Sequence, residues 1–130
     1  MKPRIAMIAV VVRDYDEAIA WYREALGFEL LEDDDRGGGK RWVRMAPPGN
    51  AHFSLLLARA TTPAQEAAIG NQHGGRVGFF LHTDDFARDH ARLTAAGAQF
   101  EESVRHEPYG TVVVFRDLYG NRWDMIEPRA

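Results

Sequence analysis

Hydrophobic and polar positions along this chain keep two rhythms, and the changes between them mark the elements. Residues 5–12 (IAMIAVVV) are apolar and rich in β-branched side chains, the length of a buried strand. Arg13 and Asp14 end the run, and Asp14 with Glu17 three residues on reads as a capped helix start. Ala18, Trp21, Tyr22, Ala25 and Leu26 then recur at helical spacing, and Gly27 is placed to close the helix. Strands are expected from 28 to 31, from 41 to 46 and from 53 to 57. Between the first two, the acid run Glu32-Asp33-Asp34-Asp35 with Gly37-Gly38-Gly39 reads as a solvated loop, without the alternating oxygen ligands of a calcium loop. Pro47-Pro48-Gly49-Asn50 reads as a turn. Residues 58–76 form a connector with a short helical turn at 64–69.

The second half repeats the order. Residues 77–83 (VGFFLHT) predict a strand, Asp84-Asp85 a helix cap, Phe86, Arg88 or Asp89, and Leu93 a stripe at helical spacing, and Gly97 the helix end. A strand is expected from 98 to about 104 and a loop from 106 to 110. The chain closes on a hairpin, 109–128, whose strands flank the turn Asp117-Leu118-Tyr119-Gly120-Asn121. On its last strand Arg122, Asp124 and Ile126 share one face, and Trp123, Met125 and Glu127 the other. Asp14 to Gly27 spans thirteen positions, as does Asp84 to Gly97, and Gly49-Asn50 corresponds to Gly120-Asn121. Shared spacing at several landmarks is the mark of an internal duplication. Each copy is a βαβββ module, too small to cover its own sheet, so two modules must curl together or pair with another chain. The expectation is an α+β fold in one domain, residues 1–130. Module one (1–58) and module two (76–130) are joined by connector 59–75 and build a curved, eight-stranded mixed sheet.

Composition narrows the function. With 130 residues, 45% hydrophobic and 27% charged, the chain fits an ordinary globule, and no apolar run is long enough to span a membrane. No signal peptide is evident. Cysteine is absent, which removes thiolate chemistry and is compatible with a cytoplasmic location. A net charge of −3 argues against nucleic acid and mildly favours neutral or cationic ligands. Gly37-Gly38-Gly39-Lys40 lacks the spacing of a phosphate loop, and there is no Gly-x-Ser-x-Gly.

The segments VVVRDYDEAIAWYREALGFEL, WVRMAPPG, FFLHTDDFARDHARLTAAGAQFEE and YGTVVVFRDLYGNRWDMIEP cover nearly the whole chain. In them the chain resembles the vicinal oxygen chelate superfamily, which includes glyoxalase I, bleomycin-resistance and fosfomycin-resistance proteins and extradiol dioxygenases. The resemblance implies two βαβββ modules forming a cup for a small-molecule ligand, often with a divalent metal, and often completed in a homodimer. Carried over position by position, the family's metal ligands would fall on Met7, on Ser54 (or Phe53, if the preceding turn is one residue shorter), on Gly78 and on Asp124. Of these, Asp124 binds a cation well. Zinc, iron and nickel sites need three or four protein ligands, so no bound metal is expected.

Against that frame His52 and His82 lie on the same strand faces as Ser54 and Gly78, and a displaced metal site of His52, His82 and Asp124 is an alternative. The offsets of roughly 7 to 13 Å along the strands speak against convergence. Asp124 with Arg122 reads either as a recognition pair or as a rim ion pair worth little. Trp42 and Trp123 read as walls for a planar ligand or as sheet packing, and Tyr109 as an edge of the cup mouth. The candidate ligand-binding set is therefore Met7, Trp42, His52, Ser54, Gly78, Tyr109, Arg122, Trp123 and Asp124, with space beside Gly78 left to the ligand. Three readings compete: a metal-independent binding protein that sequesters an aromatic or cationic compound, a metal-dependent lyase or ring-cleaving dioxygenase with an atypical ligand set, and an accessory domain whose cup is filled by its own side chains.

Overall fold

In the computed structural model, which describes residues 2–50 and 52–130, the chain divides between Ala68 and Ile69 into two units. The first holds β1 (Met7–Val12), α1 (Tyr15–Leu26), β2 (Glu29–Gly37), β3 (Lys40–Ala46), β4 (Ser54–Arg59) and α2 (Pro63–Ala68). The second holds β5 (Phe79–His82), α3 (Phe86–Ala95), β6 (Gln99–Phe100), β7 (Arg105–Glu107), β8 (Gly110–Arg116) and β9 (Arg122–Pro128).

In the first unit the strand order is β1-β4-β3-β2. β1 runs parallel to β4, with Met7 opposite Ser54, and the other pairings are antiparallel. Asp14 caps α1 through its carboxylate, which accepts from the Glu17 N–H at 2.8 Å. Gly27, at φ 68°, ends the helix in the left-handed conformation. Ala18, Ile19, Tyr22 and Ala25 are buried on the helix, and Val10, Val12, Val43, Met45, Leu55 and Leu57 on the sheet. By strand alternation these sheet residues share the face that α1 covers. The opposite face carries Met7, Val11, Trp42, Arg44, Ser54, Leu56 and Ala58, as the register requires.

The second unit has the order β5-β9-β8-β6, with β7 also pairing with β8. Phe79, Val113, Phe115, Trp123 and Met125 are buried on the helix side. The side chain of Glu127 accepts from the Phe86 N–H at 2.7 Å, so the last strand helps to cap α3. That places an acid at the positive end of the helix dipole.

The α+β class and the two-module plan stand as expected, with three local differences. The acid run is strand, not loop. β2 continues to Gly37 because its carboxylates meet arginines on β3: Asp33 pairs with Arg41 at 2.7 Å and Glu32 with Arg44. Such cross-strand pairs offset charges that would otherwise repel. The single strand expected from 98 to 104 is instead two short pieces, β6 and β7, and His106 and Glu107 lie in strand. The sheets therefore hold four and five strands in place of a set of eight. Finally, α3 is capped by Asp85 rather than Asp84, so the duplication is one residue out of register there. The Thr83 hydroxyl accepts from the Asp85 N–H at 3.0 Å and fixes that start.

One turn was underestimated by its sequence. Asp117 is 6% exposed, and its carboxylate accepts from the N–H groups of Tyr119 and Asn121 and from the Asn121 side-chain amide, at 2.8 to 2.9 Å. Gly120 at φ 95° supplies the left-handed position. Replacing Asp117 by Ala strands buried donors at the head of the β8–β9 hairpin. The expected loss is about 2–4 kcal/mol, read as a shift in the urea midpoint without a change in slope. An unchanged midpoint contradicts the account.

Candidate functional site

The open face of the first unit is built from β1, β4 and β3. Ser54 is buried to 1% exposure, and its hydroxyl oxygen accepts from the Arg44 guanidinium at 3.2 Å. Arg44 also holds Glu32, keeping that carboxyl below its ordinary pKa range. A guanidinium thus stands beside the position where the resemblance puts a metal ligand. Met7 is half-buried in the neighbouring strand, opposite Ser54. His52 lies in an exposed bend before β4.

Towards the tip of the β2–β3 hairpin, β3 leaves β4. Their ladder covers Val43–Met45 against Leu55–Leu57, and there it stops. The gap is a cavity of about 410 Å³, lined by Val11, Trp42, Leu56, Leu57 and Ala58, with Tyr15, Lys40, Arg41 and Arg59 around them and Thr61 and Gln65 from the connector. Trp42 is half-buried, and Arg36 lies over its ring at 5.4 Å. Of this set, sequence reasoning named Trp42 alone. The others read as ordinary strand and connector residues, and only the splay of two paired strands brings them together.

In the second unit the open face carries Phe80, Val114 and Asp124 side by side in the register. Phe80 is 63% exposed, and Asp124 is half-buried with Oδ1 buried and without a hydrogen-bond donor. Burial raises the Asp124 pKa, and the positive charge of Arg105 opposes the rise. Arg122 does not form a recognition pair with it. Its guanidinium donates to both carboxylate oxygens of Glu101, at 2.7 and 2.9 Å, and to the Gly75 carbonyl at 2.9 Å. Glu101 also takes Arg116 at 3.2 Å, and its pKa is lowered chiefly by Arg122.

The structure overturns the expectation of free space beside Gly78. A Cβ there would come within 2.2 Å of the His73 ring, so an imidazole from the connector already occupies that volume. His73 also packs edge-on against Phe79 at 4.9 Å. Trp123 lies on the other face of β9 from Asp124, is 3% exposed, and stacks on Phe79 at 4.6 Å and Phe115 at 5.8 Å. It is a core residue, not a wall shared with Asp124. Tyr109 stands 54% exposed in the turn between β7 and β8. His82 is exposed at the end of β5, opposite Ile126.

Among the described residues no three His, Cys, Asp or Glu side chains group to hold a metal ion. The donor chemistry does not suit one either. Ser54 faces a guanidinium, Gly78 has no donor and is covered by His73, and Asp124 sits in the field of Arg105 and Arg122.

The family model described as Glyoxalase/Bleomycin resistance protein/Dioxygenase superfamily matches residues 4–125. A protein of Shewanella frigidimarina (strain NCIMB 400), itself uncharacterized, is 52% identical over 128 residues, covering 98% of this chain and 95% of its own. The crystal structure of UcmS2 superposes with a TM-score of 0.82 at 28% identity, over 98% of this chain and 99% of that one. That of TnmS3, described as an antibiotic binding protein from Streptomyces sp. CB03234, gives a TM-score of 0.78 at 31% identity, over 98% of both chains.

The raised pKa of Asp124 has a consequence for stability. A carboxyl whose folded pKa exceeds its unfolded one binds more protons when folded, so stability falls as pH rises through that window and stays lowered above it. Asp124→Asn removes the buried charge. The variant is expected to be more stable than the wild type at neutral pH, with the difference vanishing below the unfolded carboxyl pKa. Denaturation curves across acid to neutral pH measure this, and a variant less stable at neutral pH refutes it.

Proposed function

We propose that this chain, which belongs to the Glyoxalase/Bleomycin resistance protein/Dioxygenase superfamily, is a binding protein that sequesters a small aromatic molecule without a catalytic metal. The observation that carries this reading is the cavity of about 410 Å³ where β3 splays from β4. It has the size and make-up of a ligand pocket: an aromatic wall, aliphatic floor residues and a few polar groups at the margin. Trp42 offers a flat, polarisable surface to a planar ring. The likeness to TnmS3, described as an antibiotic binding protein, supports the same direction.

A second reading, a metal-dependent enzyme, draws on one feature, the buried and unpartnered oxygen of Asp124. A single carboxylate among arginines is a poor start for a cation site, so binding is the better account. The protein is taken to work as a homodimer. β1 and β5 are the edge strands of their sheets and bear exposed Ile8 and Phe80. Unpaired apolar edges favour association, most often as a closed two-fold dimer. No helix among the described residues is long and apolar enough to cross a membrane. With no cysteine in the sequence, a cytoplasmic location is the simplest assignment.

A panel of planar aromatic compounds, neutral and of both charges, tests the binding role. At least one is expected to quench tryptophan emission saturably, with Trp42→Ala removing most of the signal and weakening binding by roughly tenfold or more. A panel without saturable quenching ends this reading. Elemental analysis is expected to find no stoichiometric transition metal; near-equimolar zinc, nickel, iron or manganese, lost in Asp124→Ala, favours the enzyme instead. Sedimentation at micromolar concentration is expected to give a dimer, and a monomer removes the assembly.

A further inference from the structure

Several acids of the first unit are spent on its arginines. Arg41 takes Asp33 at 2.7 Å and Asp16 at 2.9 Å, Arg44 takes Glu32, and Arg13 takes Glu17 at 2.8 Å. Two cations beside the β3–β4 cavity are left over. Among the described residues neither Lys40 nor Arg59 has a carboxylate partner, and no Asp or Glu lines the cavity. In a chain of net charge −3, a pocket bordered by two cations without a carboxylate partner, and lined by no acid, is a local reversal of sign.

Arg59 is also held in place by contacts that spare its donors. Its guanidinium lies over the Tyr15 ring at 6.0 Å. It also fills the space beside Gly39, where an added Cβ would meet Nη2 at 3.1 Å. A cation–π contact and packing against a glycine orient the group while leaving its N–H donors free for an acceptor. Gln65 is similarly prepared. Its carbonyl oxygen accepts from the Thr61 N–H at 2.7 Å and hydroxyl at 3.0 Å, which leaves its amide N–H donors unspent.

Resting on the binding role proposed above, we infer that the β3–β4 cavity takes a planar aromatic carboxylate, its ring against Trp42 and the aliphatic floor and its anionic group at Arg59 and Lys40. This is the opposite charge preference from the one overall composition indicates. A guanidinium with free parallel donors matches a carboxylate in a bidentate pair, which gives direction as well as attraction. Lys40, a flexible point charge, adds attraction without that geometry.

Calorimetric titration with 2-naphthoate and the neutral, near-isosteric 2-naphthamide tests the inference. The wild-type protein is expected to bind the acid about tenfold more tightly than the amide, a modest figure because both cations are at an exposed margin. Arg59→Gln is expected to lower 2-naphthoate binding to the level of the amide, and Arg59→Lys to keep part of the preference. Raising the salt concentration should weaken binding of the acid and spare the amide, a readout independent of any variant's folding. Equal affinity for the two probes overturns the anionic preference. So does a preference that survives Arg59→Gln, or an absence of 2-naphthoate binding. Equal binding of both probes that Trp42→Ala weakens leaves the general binding role standing. The same failure together with a silent compound panel removes both.

Discussion

A helix covers only one face of a sheet, and each half of this chain has one long helix for its strands. α1 takes the face of Val10, Val43 and Leu57, and the face of Met7, Trp42 and Ser54 is left over. The second unit meets the same constraint, with Trp123 and Met125 on its helix side and Asp124 on the other. Burial of the helix side supplies the stability. The uncovered side therefore tolerates residues that packing alone would not choose, such as the exposed Phe80 and the unpartnered oxygen of Asp124. The proposed binding role rests on that surplus face.

Charge pairing then decides what the surplus face, and the cavity at the edge of the sheet, offer. Arg44 with Glu32, and Arg122 with Glu101, neutralise groups that a reading of charge by position would assign to a ligand. Beside the candidate sites this leaves a carboxylate oxygen in one unit, and an arginine and a lysine at a cavity in the other. Exposed ion pairs add little to stability. What they decide here is which charges are still available to a partner.

The cavity itself arises from a break in pairing. β3 follows β4 for three residues and then keeps company with β2 alone. The hairpin tip, with Gly37, Gly38 and Gly39 all at positive φ, turns without needing β4. A fully paired ladder would have closed the space. A sheet that stops pairing early thus opens a cavity without an insertion or a special loop.

Periodicity determined much of this protein without further help. The helix from Asp14 to Gly27, the final hairpin and the duplicated plan follow from local rules of capping, turn chemistry and alternation, which act over a few residues. The alternation that sets Trp123 apart from Asp124 was equally legible. Register and partnership were decided by tertiary structure. The acid run from Glu32 became strand because Arg41 and Arg44 stand opposite it, His73 filled the space beside Gly78, and Arg59 met Tyr15 and Gly39 at the edge of a gap between strands. Each of these joins residues distant along the chain or a pairing that ends early. A sequence states which groups are present, whereas which charges cancel and which volumes stay empty are properties of the packed chain.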